Sequence, residues 1–192
     1  MTDWTALDYV VVDVEGNGQQ PPELVELAAV PITGGVIGKP ATWLVKPPHP
    51  IKPFVTQIHG LNNQDVAACP AFADIAAEVL AALDADALVA HAAYVDLAVL
   101  RRQLSGWKVP EVFDTLKLAR RLVPSLRNYQ LGTLVGQLQL AKDLPDGLKP
   151  HRATYDALVA ARLFVLLAGR AGSLEILRGT SPDGDDDAAV LF

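Results

Sequence analysis

Five side chains of this sequence could together perform metal-assisted acid–base chemistry: Asp13, Glu15, Asp96, His151 and Asp156. Asp13 and Glu15 close the stretch D-Y-V-V-V-D-V of residues 8–14, whose β-branched, nearly continuous apolar character reads as a buried central strand. Residues i and i+2 of a strand share a face, so the two carboxylates converge at its end. Like charges so close repel, and at the end of an apolar strand they are costly unless neutralised. A hard divalent cation with oxygen ligands would neutralise them. Taken alone, the pair reads more readily as surface at a strand end. Asp96, flanked by Val95 and Leu97, is either at a helix edge facing water or held for a purpose. Asp156 opens an apolar helix in which Arg162 is the next charge, at a spacing poorly suited to an intrahelical pair. His151 follows Pro150 and could be a cap, a surface residue or a base; His59 and His91 carry the same ambiguity.

As a set these residues say more. Four carboxylates and a histidine, each near a strand end or helix start, can build a two-metal site for in-line phosphoryl displacement, with the histidine taking a proton from water. An oxygen-only ligand set calls for two Mg²⁺ or Mn²⁺. The chain shows no serine or cysteine nucleophile beside a base and no G-x-x-x-x-G-K-[ST] loop. Gly16-Asn17-Gly18 is too short for a dinucleotide fingerprint.

The elements that must position these groups follow from periodicity. Residues 24–32 and 36–45 read as strands joined by a Gly34-Gly35 hairpin turn. Residues 71–83 place Phe72, Ile75, Val79 and Leu83 on one helical face. A short strand over 87–90, a helix over 94–104, a strand at Val112-Phe113 and helices over 115–122 and 129–138 follow. Residues 154–168 are apolar almost all round, which predicts a buried helix. A hairpin followed by alternating strands and helices implies an α/β sandwich with a mixed sheet.

Composition sets the outer bounds. The 192 residues, 51% hydrophobic and 20% charged, suit one ordered domain over 1–178, with 179–192 as a flexible acidic tail. The lone Cys69 excludes an intramolecular disulfide and a Cys-based zinc site, and fits a reducing cytoplasm. The start lacks a basic n-region, and the longest apolar run, 157–169, is interrupted by Arg162, so a soluble protein with no membrane partner is expected. The net charge of −6 argues against broad duplex binding, but Asp183, Asp185, Asp186 and Asp187 carry much of it, leaving about −2 for residues 1–178. Two divalent cations would bring that body to about +2. Arg101, Arg102, Lys117, Arg120, Arg121 and Arg127 cluster in the second half, where a solvated helix face is the simpler reading.

The motifs together resemble the DEDDh exonucleases, the family that includes the proofreading subunit of bacterial DNA polymerase III. The first motif is similar to V-V-V-D-V-E-G of Val10–Gly16, the second to L-V-A-H-A-A-Y-V-D of Leu88–Asp96, the third to H-R-A-T-Y-D-A of His151–Ala157. I-H-G-L, A-C-P-A-F and N-Y-Q-L-G-T-L, at Ile58, Ala68 and Asn128 onward, resemble its landmarks too. The resemblance implies a ribonuclease H-like sandwich, a five-stranded mixed sheet with helices on both faces. It implies that Asp13, Glu15 and Asp156 ligate two metals, that Asp96 supports one directly or through water, and that His151 is the general base. Val14, Gly16 and His59 would border the terminal nucleotide.

The implied activity is 3′→5′ removal of nucleoside monophosphates from DNA, single-stranded or frayed, with RNA ends or short oligoribonucleotides as the alternative substrate. A non-catalytic scaffold is the rival of another class, and the presence of all five site residues argues against it. Three departures bear on substrate fit: Gly16 replaces a frequent Thr, Ala92 replaces a usual Asn, and Val95 replaces an aromatic that here stands one position earlier as Tyr94. Proofreading would need a replication or repair partner in trans. The Leu191-Phe192 tip resembles sliding-clamp docking peptides, without the glutamine that begins them.

Overall fold

The computed structural model describes residues 2–179; the acidic stretch beyond and its Leu191-Phe192 tip lie outside the described residues. In chain order the elements are β1 (Tyr9–Gly16), β2 (Leu24–Thr33), β3 (Val36–Ile37), β4 (Ala41–Leu44), α1 (Pro53–His59), α2 (Phe72–Ala82), β5 (Ala87–Ala90), α3 (Tyr94–Gln103), β6 (Glu111–Asp114), α4 (Thr115–Leu122), α5 (Leu131–Leu138), α6 (Ala153–Ala171) and α7 (Leu174–Arg178). The sheet runs β3-β2-β1-β5-β6, with β4 also beside β2. β1 is antiparallel to β2 and parallel to β5, and β5 is parallel to β6. This is the expected mixed sheet.

The strand expected over 36–45 is broken in two, so six strands fill five positions. Pro40 has no N–H for the ladder, and Gly38 donates instead to the Pro31 carbonyl at 2.8 Å. Ile37 faces Ile32 while Ala41 faces Ala29, so residues 38–40 oppose only 30 and 31, a bulge on the edge strand.

Strand alternation divides the core. Val10 and Val12 point to the face covered by α2 and α3, where Phe72, Val79, Val99 and Leu100 pack. Tyr9 and Val11 point to the other face and meet α4 and α6 through Leu118, Leu163 and Phe164. The Tyr9 and Phe164 rings lie 4.8 Å apart, and each is 5.8 Å from Phe113. Asp13 and Glu15 continue the Tyr9–Val11 parity, so they emerge on the α6 face.

α6 is buried along most of its 19 residues, as its composition requires, and it carries Asp156 in its first turn. Arg162 does not pair with Asp156. It turns outward to donate to the carbonyls of Leu140 (2.9 Å) and Lys142, tying down the loop after α5. Among the described residues no helix is long and apolar enough to cross a membrane.

Candidate active site

Asp13, Glu15 and Asp156 each offer a carboxylate oxygen, and these atoms lie within 4.8 Å of one another. Two come from the end of β1 and one from the first turn of α6, two elements pressed together by the core. The β1–β2 register shifts between Glu15 and Gly16, where Glu15 faces Glu26 and Gly16 faces Leu24. Such an irregularity ends the regular ladder beside the carboxylates.

Asp96 stands apart from that trio. It is 4% exposed, and its Oδ1 accepts from the Val14 N–H at 3.0 Å. It therefore ties α3 to the strand between Asp13 and Glu15. Burial pushes its carboxyl up to about 7, against the backbone hydrogen bond from Val14. Asp13 is raised well above the ordinary carboxylate range by desolvation, then by Asp96, Asp156, Glu15 and Glu26. Glu15 is pushed up to about 8 by desolvation and by Asp156, Glu26 and Asp96. Asp156 is raised by burial, partly offset by His151. Crowded carboxylates that hold protons so tightly form a site short of positive charge. An all-oxygen set of this kind fits a hard divalent cation.

His151 sits just before α6 with φ 61°, a left-handed conformation uncommon outside glycine. Its N–H donates to Asp156 Oδ2 at 3.1 Å, which anchors the residue by its backbone. The residue is exposed, and among the described residues its ring makes no hydrogen bond. An imidazole beside the carboxylates but not spent on them is free to meet a substrate.

His59 and His91 serve the framework. His59 is 4% exposed; its Nε2 donates to the Gly16 carbonyl (3.3 Å) and its Nδ1 accepts from Leu61 N–H (3.1 Å). It therefore holds the end of the first motif from behind. His91 bonds the Tyr129 carbonyl through Nε2 and the Thr115 hydroxyl through Nδ1, both at 2.9 Å, and burial lowers its pKa, which keeps the ring neutral. Asp114 completes this support by accepting from the N–H groups of Ala92, Ala93, Leu116 and Lys117. That grip holds Ala92 at φ 60°.

Two of the sequence departures have visible settings. A β-carbon on Gly16 would lie 3.2 Å from Pro22 Cβ, tighter than ordinary contact, so the neighbouring loop leaves little room for a larger residue. Tyr94, 74% exposed, lines a depression with Glu111, Lys117 and Arg121. One helical position is a rotation of about 100°, so Tyr94 does not face where Val95 faces.

Sequence reasoning passed over Glu26 and Arg152. Glu26 is 1% exposed in β2, directly across from Glu15. Its carboxylate accepts from Arg152 Nε (2.9 Å), Arg152 Nη2 (2.6 Å) and Ala153 N–H (3.0 Å). The available signal was a lone charge inside L-V-E-L-A-A-V. Helix α1 was also passed over. Its Phe54 and Ile58, 55% and 51% exposed, stand one helical turn apart, and a β-carbon on Gly18 would lie 2.9 Å from the Phe54 ring.

The sequence profile of the exonuclease family (RNase T) matches residues 10–164. The chain belongs to this family. Over 162 residues it is 33% identical to exodeoxyribonuclease 10 of Escherichia coli K12, a match covering 84% of this chain and 69% of that protein. It is 35% identical over 164 residues to the 3′-5′ exonuclease DinG of Bacillus subtilis, covering 82% of this chain but 17% of that much longer one. Exonuclease X, solved with 5′ overhanging duplex DNA, superposes with a TM-score of 0.71 at 31% identity, covering 88% and 99% of the two chains. The nuclease domain of 3′hExo, a DEDDh family member bound to rAMP, shares the fold at TM-score 0.69 and 17% identity, covering 86% and 93%. The chain thus carries an exonuclease domain of this family, with the ribonuclease H-like fold. The family uses divalent metal ions, and the acidic cluster at β1 and α6 is where this chain could hold them.

The raised carboxylates make a prediction for the metal-free protein. Glu15 and Asp96 keep protons up to about pH 8 and 7 when folded, whereas unfolded carboxylates release theirs near pH ~4. The folded state therefore binds more protons across that window, and its stability falls as pH rises through it. His59 and His91, held neutral by burial, act in the opposite sense below about pH 6.5, the ordinary histidine value. Between about pH 6.5 and 8 the carboxylates alone decide. The melting temperature in chelator should fall over that range, and Glu15→Gln should flatten the slope. A melting temperature rising from pH 6.5 to 8 would contradict the crowding described above.

Proposed function

We propose that this chain hydrolyses phosphodiester bonds at the 3′ end of DNA, single-stranded or frayed, and releases nucleoside monophosphates with the help of two Mg²⁺ or Mn²⁺. The observation that carries this reading is the trio Asp13, Glu15 and Asp156 within 4.8 Å, beside a histidine whose ring is unspent. Bound there, the cations would stabilise charge on the scissile phosphate and lower the pKa of the attacking water. Asp13, Glu15 and Asp156 would hold them. Asp96 would hold the strand through Val14 and support one ion directly or through water. His151 would accept the proton from water at a ring nitrogen.

The terminal nucleotide would lie along Val14–Gly16. Its base would rest on the exposed apolar face of Phe54 and Ile58, since bases stack on apolar and aromatic surfaces whatever their sequence. His59 would act by fixing the Gly16 carbonyl from behind. DNA is favoured over RNA by the 33% identity to an exodeoxyribonuclease and by the DNA-bound structure at 31% identity. Residues 1–178 would work as one exonuclease domain, and a replication or repair protein would be the natural partner.

Matched DNA and RNA oligomers with free 3′ ends, digested side by side, test the substrate. DNA should be shortened the faster from its 3′ end, and RNA cleaved the faster would reverse the assignment. Excess EDTA should abolish nucleotide release and added Mg²⁺ restore it. Full activity in chelator would overturn the metal reading.

A further inference from the structure

Glu26 presents an electrostatic problem that the catalytic reading does not use. It lies directly across β1–β2 from Glu15, and its side chain is 2% exposed. Directly opposed like charges on one sheet face destabilise the pair. Yet Glu26 has every reason to be drawn into any cation site that Glu15 helps to form. What removes it from that role is Arg152. Its Nε and Nη2 occupy the two carboxylate oxygens in a fork, and the Ala153 N–H takes the remaining approach to Oε2. Three of the roughly four acceptor sites of the carboxylate are thereby taken.

The same three bonds act on α6. Arg152 is the residue just before the helix and has no side-chain cap of its own. The Ala153 N–H is one of the unsatisfied donors of the first turn, and Glu26 supplies the acceptor from another element. His151 immediately precedes this clamp and Asp156 follows it by one turn. A shift of the helix start would therefore move Asp156 away from Asp13 and Glu15. The packing of α6 on the sheet restrains sliding of the helix, whereas the position of its first turn depends on local bonds. The Thr42–Thr154 hydroxyl pair, at 2.7 Å, is a further link from the sheet, and it is exposed and neutral.

We propose that Glu26 and Arg152 form a positioning pair that sets the helix start carrying His151 and Asp156 against the strand end carrying Asp13 and Glu15, and that keeps Glu26 out of the cation site. The pair touches neither substrate nor reacting atoms in this role. The inference rests on the divalent-cation reading of the site. Groups that orient metal ligands without touching the metal are worth about 10–100-fold in affinity or activity.

The test uses Arg152→Gln and Arg152→Lys in the full chain, with two readouts. The first is the rise in melting temperature with MnCl₂, which needs no turnover. The second is kcat and KM on a single-stranded oligonucleotide. Arg152→Gln should raise the half-saturating Mn²⁺ concentration and lower kcat, each by about tenfold or more, while KM for the oligonucleotide stays within about twofold. Arg152→Lys should recover only part of either, because an ammonium cannot bridge both oxygens as a guanidinium does.

A raised KM with unchanged Mn²⁺ dependence would make Arg152 a phosphate contact and overturn the proposal. A lowered melting temperature with parental kcat and Mn²⁺ dependence would reduce the pair to a structural ion pair, and would overturn it too. If Arg152→Gln does not fold, Arg152→Lys decides, since parental values in it contradict a fork-dependent role. No Mn²⁺ response in the unaltered protein would instead count against the cation reading on which this rests.

Discussion

Asp13→Ala is expected to cut hydrolysis by roughly 10³-fold or more and, at the same time, to raise the melting temperature of the metal-free protein. The two halves have one cause. Asp13 lies where desolvation and the charges of Asp96, Asp156, Glu15 and Glu26 all act on it. Without a cation it must either carry a charge that the surroundings oppose or take up a proton to avoid it, so its removal relieves that cost. Relief of ~1 kcal/mol would raise the melting temperature of a chain this size by about 2–4 °C. With a cation the same carboxylate is a ligand, and metal ions supply several kcal/mol of transition-state stabilisation. Losing about 4 kcal/mol of that is a rate loss of about 10³-fold.

Asp156→Ala should behave alike in activity, but with a smaller gain in stability. Its carboxylate also accepts the His151 N–H and lies in the first turn of α6, where negative charge is favourable. Melting curves in chelator at pH 8 beside a nuclease assay measure both halves. An Asp13→Ala protein that digests DNA like the parent would remove Asp13 from the site. One that loses activity together with melting temperature in chelator would show that the carboxylate supports the fold.

What the sequence made legible was what depends on neighbours in the chain. The unbroken apolar run before Asp13 and Glu15 and the i, i+2 spacing of the two acids placed both on one strand face, and β1 bears this out. The apolar helix behind Asp156 was equally plain, because its burial is written in its composition. Groups whose meaning comes from distant partners were not legible. Asp96 was named with the site, but its own sequence neighbours left its role open, because the Val14 N–H that it accepts from lies 82 positions away. Glu26 and Arg152 find each other across 126 positions. Helix α1 escaped because P-F-V-T-Q-I-H is short and leaves Phe54 and Ile58 outside, so it has no buried stripe to betray it. Pro40, by contrast, was a visible sign that the edge strand would break, since it cannot donate to a ladder.

His151→Ala is expected to slow hydrolysis by roughly 10²–10⁴-fold, the usual worth of a positioned general base, while leaving Mn²⁺ affinity near the parental value. The separation follows from how the residue is held. The bond that links position 151 to the carboxylate cluster comes from its backbone N–H to Asp156 Oδ2, and alanine retains it. Among the described residues the imidazole makes no hydrogen bond to the cluster; it is exposed on a loop in a left-handed conformation. Alanine in that conformation is strained as histidine is, so the loop geometry is not relieved by the change. The removed ring therefore costs a proton acceptor and little else. His151→Gln, which keeps polar bulk but cannot take a proton near neutral pH, should fall with alanine rather than with the parent. Single-turnover hydrolysis at saturating Mn²⁺, read beside the Mn²⁺-dependent melting shift, separates chemistry from binding. If either substitution abolishes the melting shift, His151 holds the cation and is a ligand. If His151→Gln hydrolyses at the parental rate, the proton leaves the water by another route.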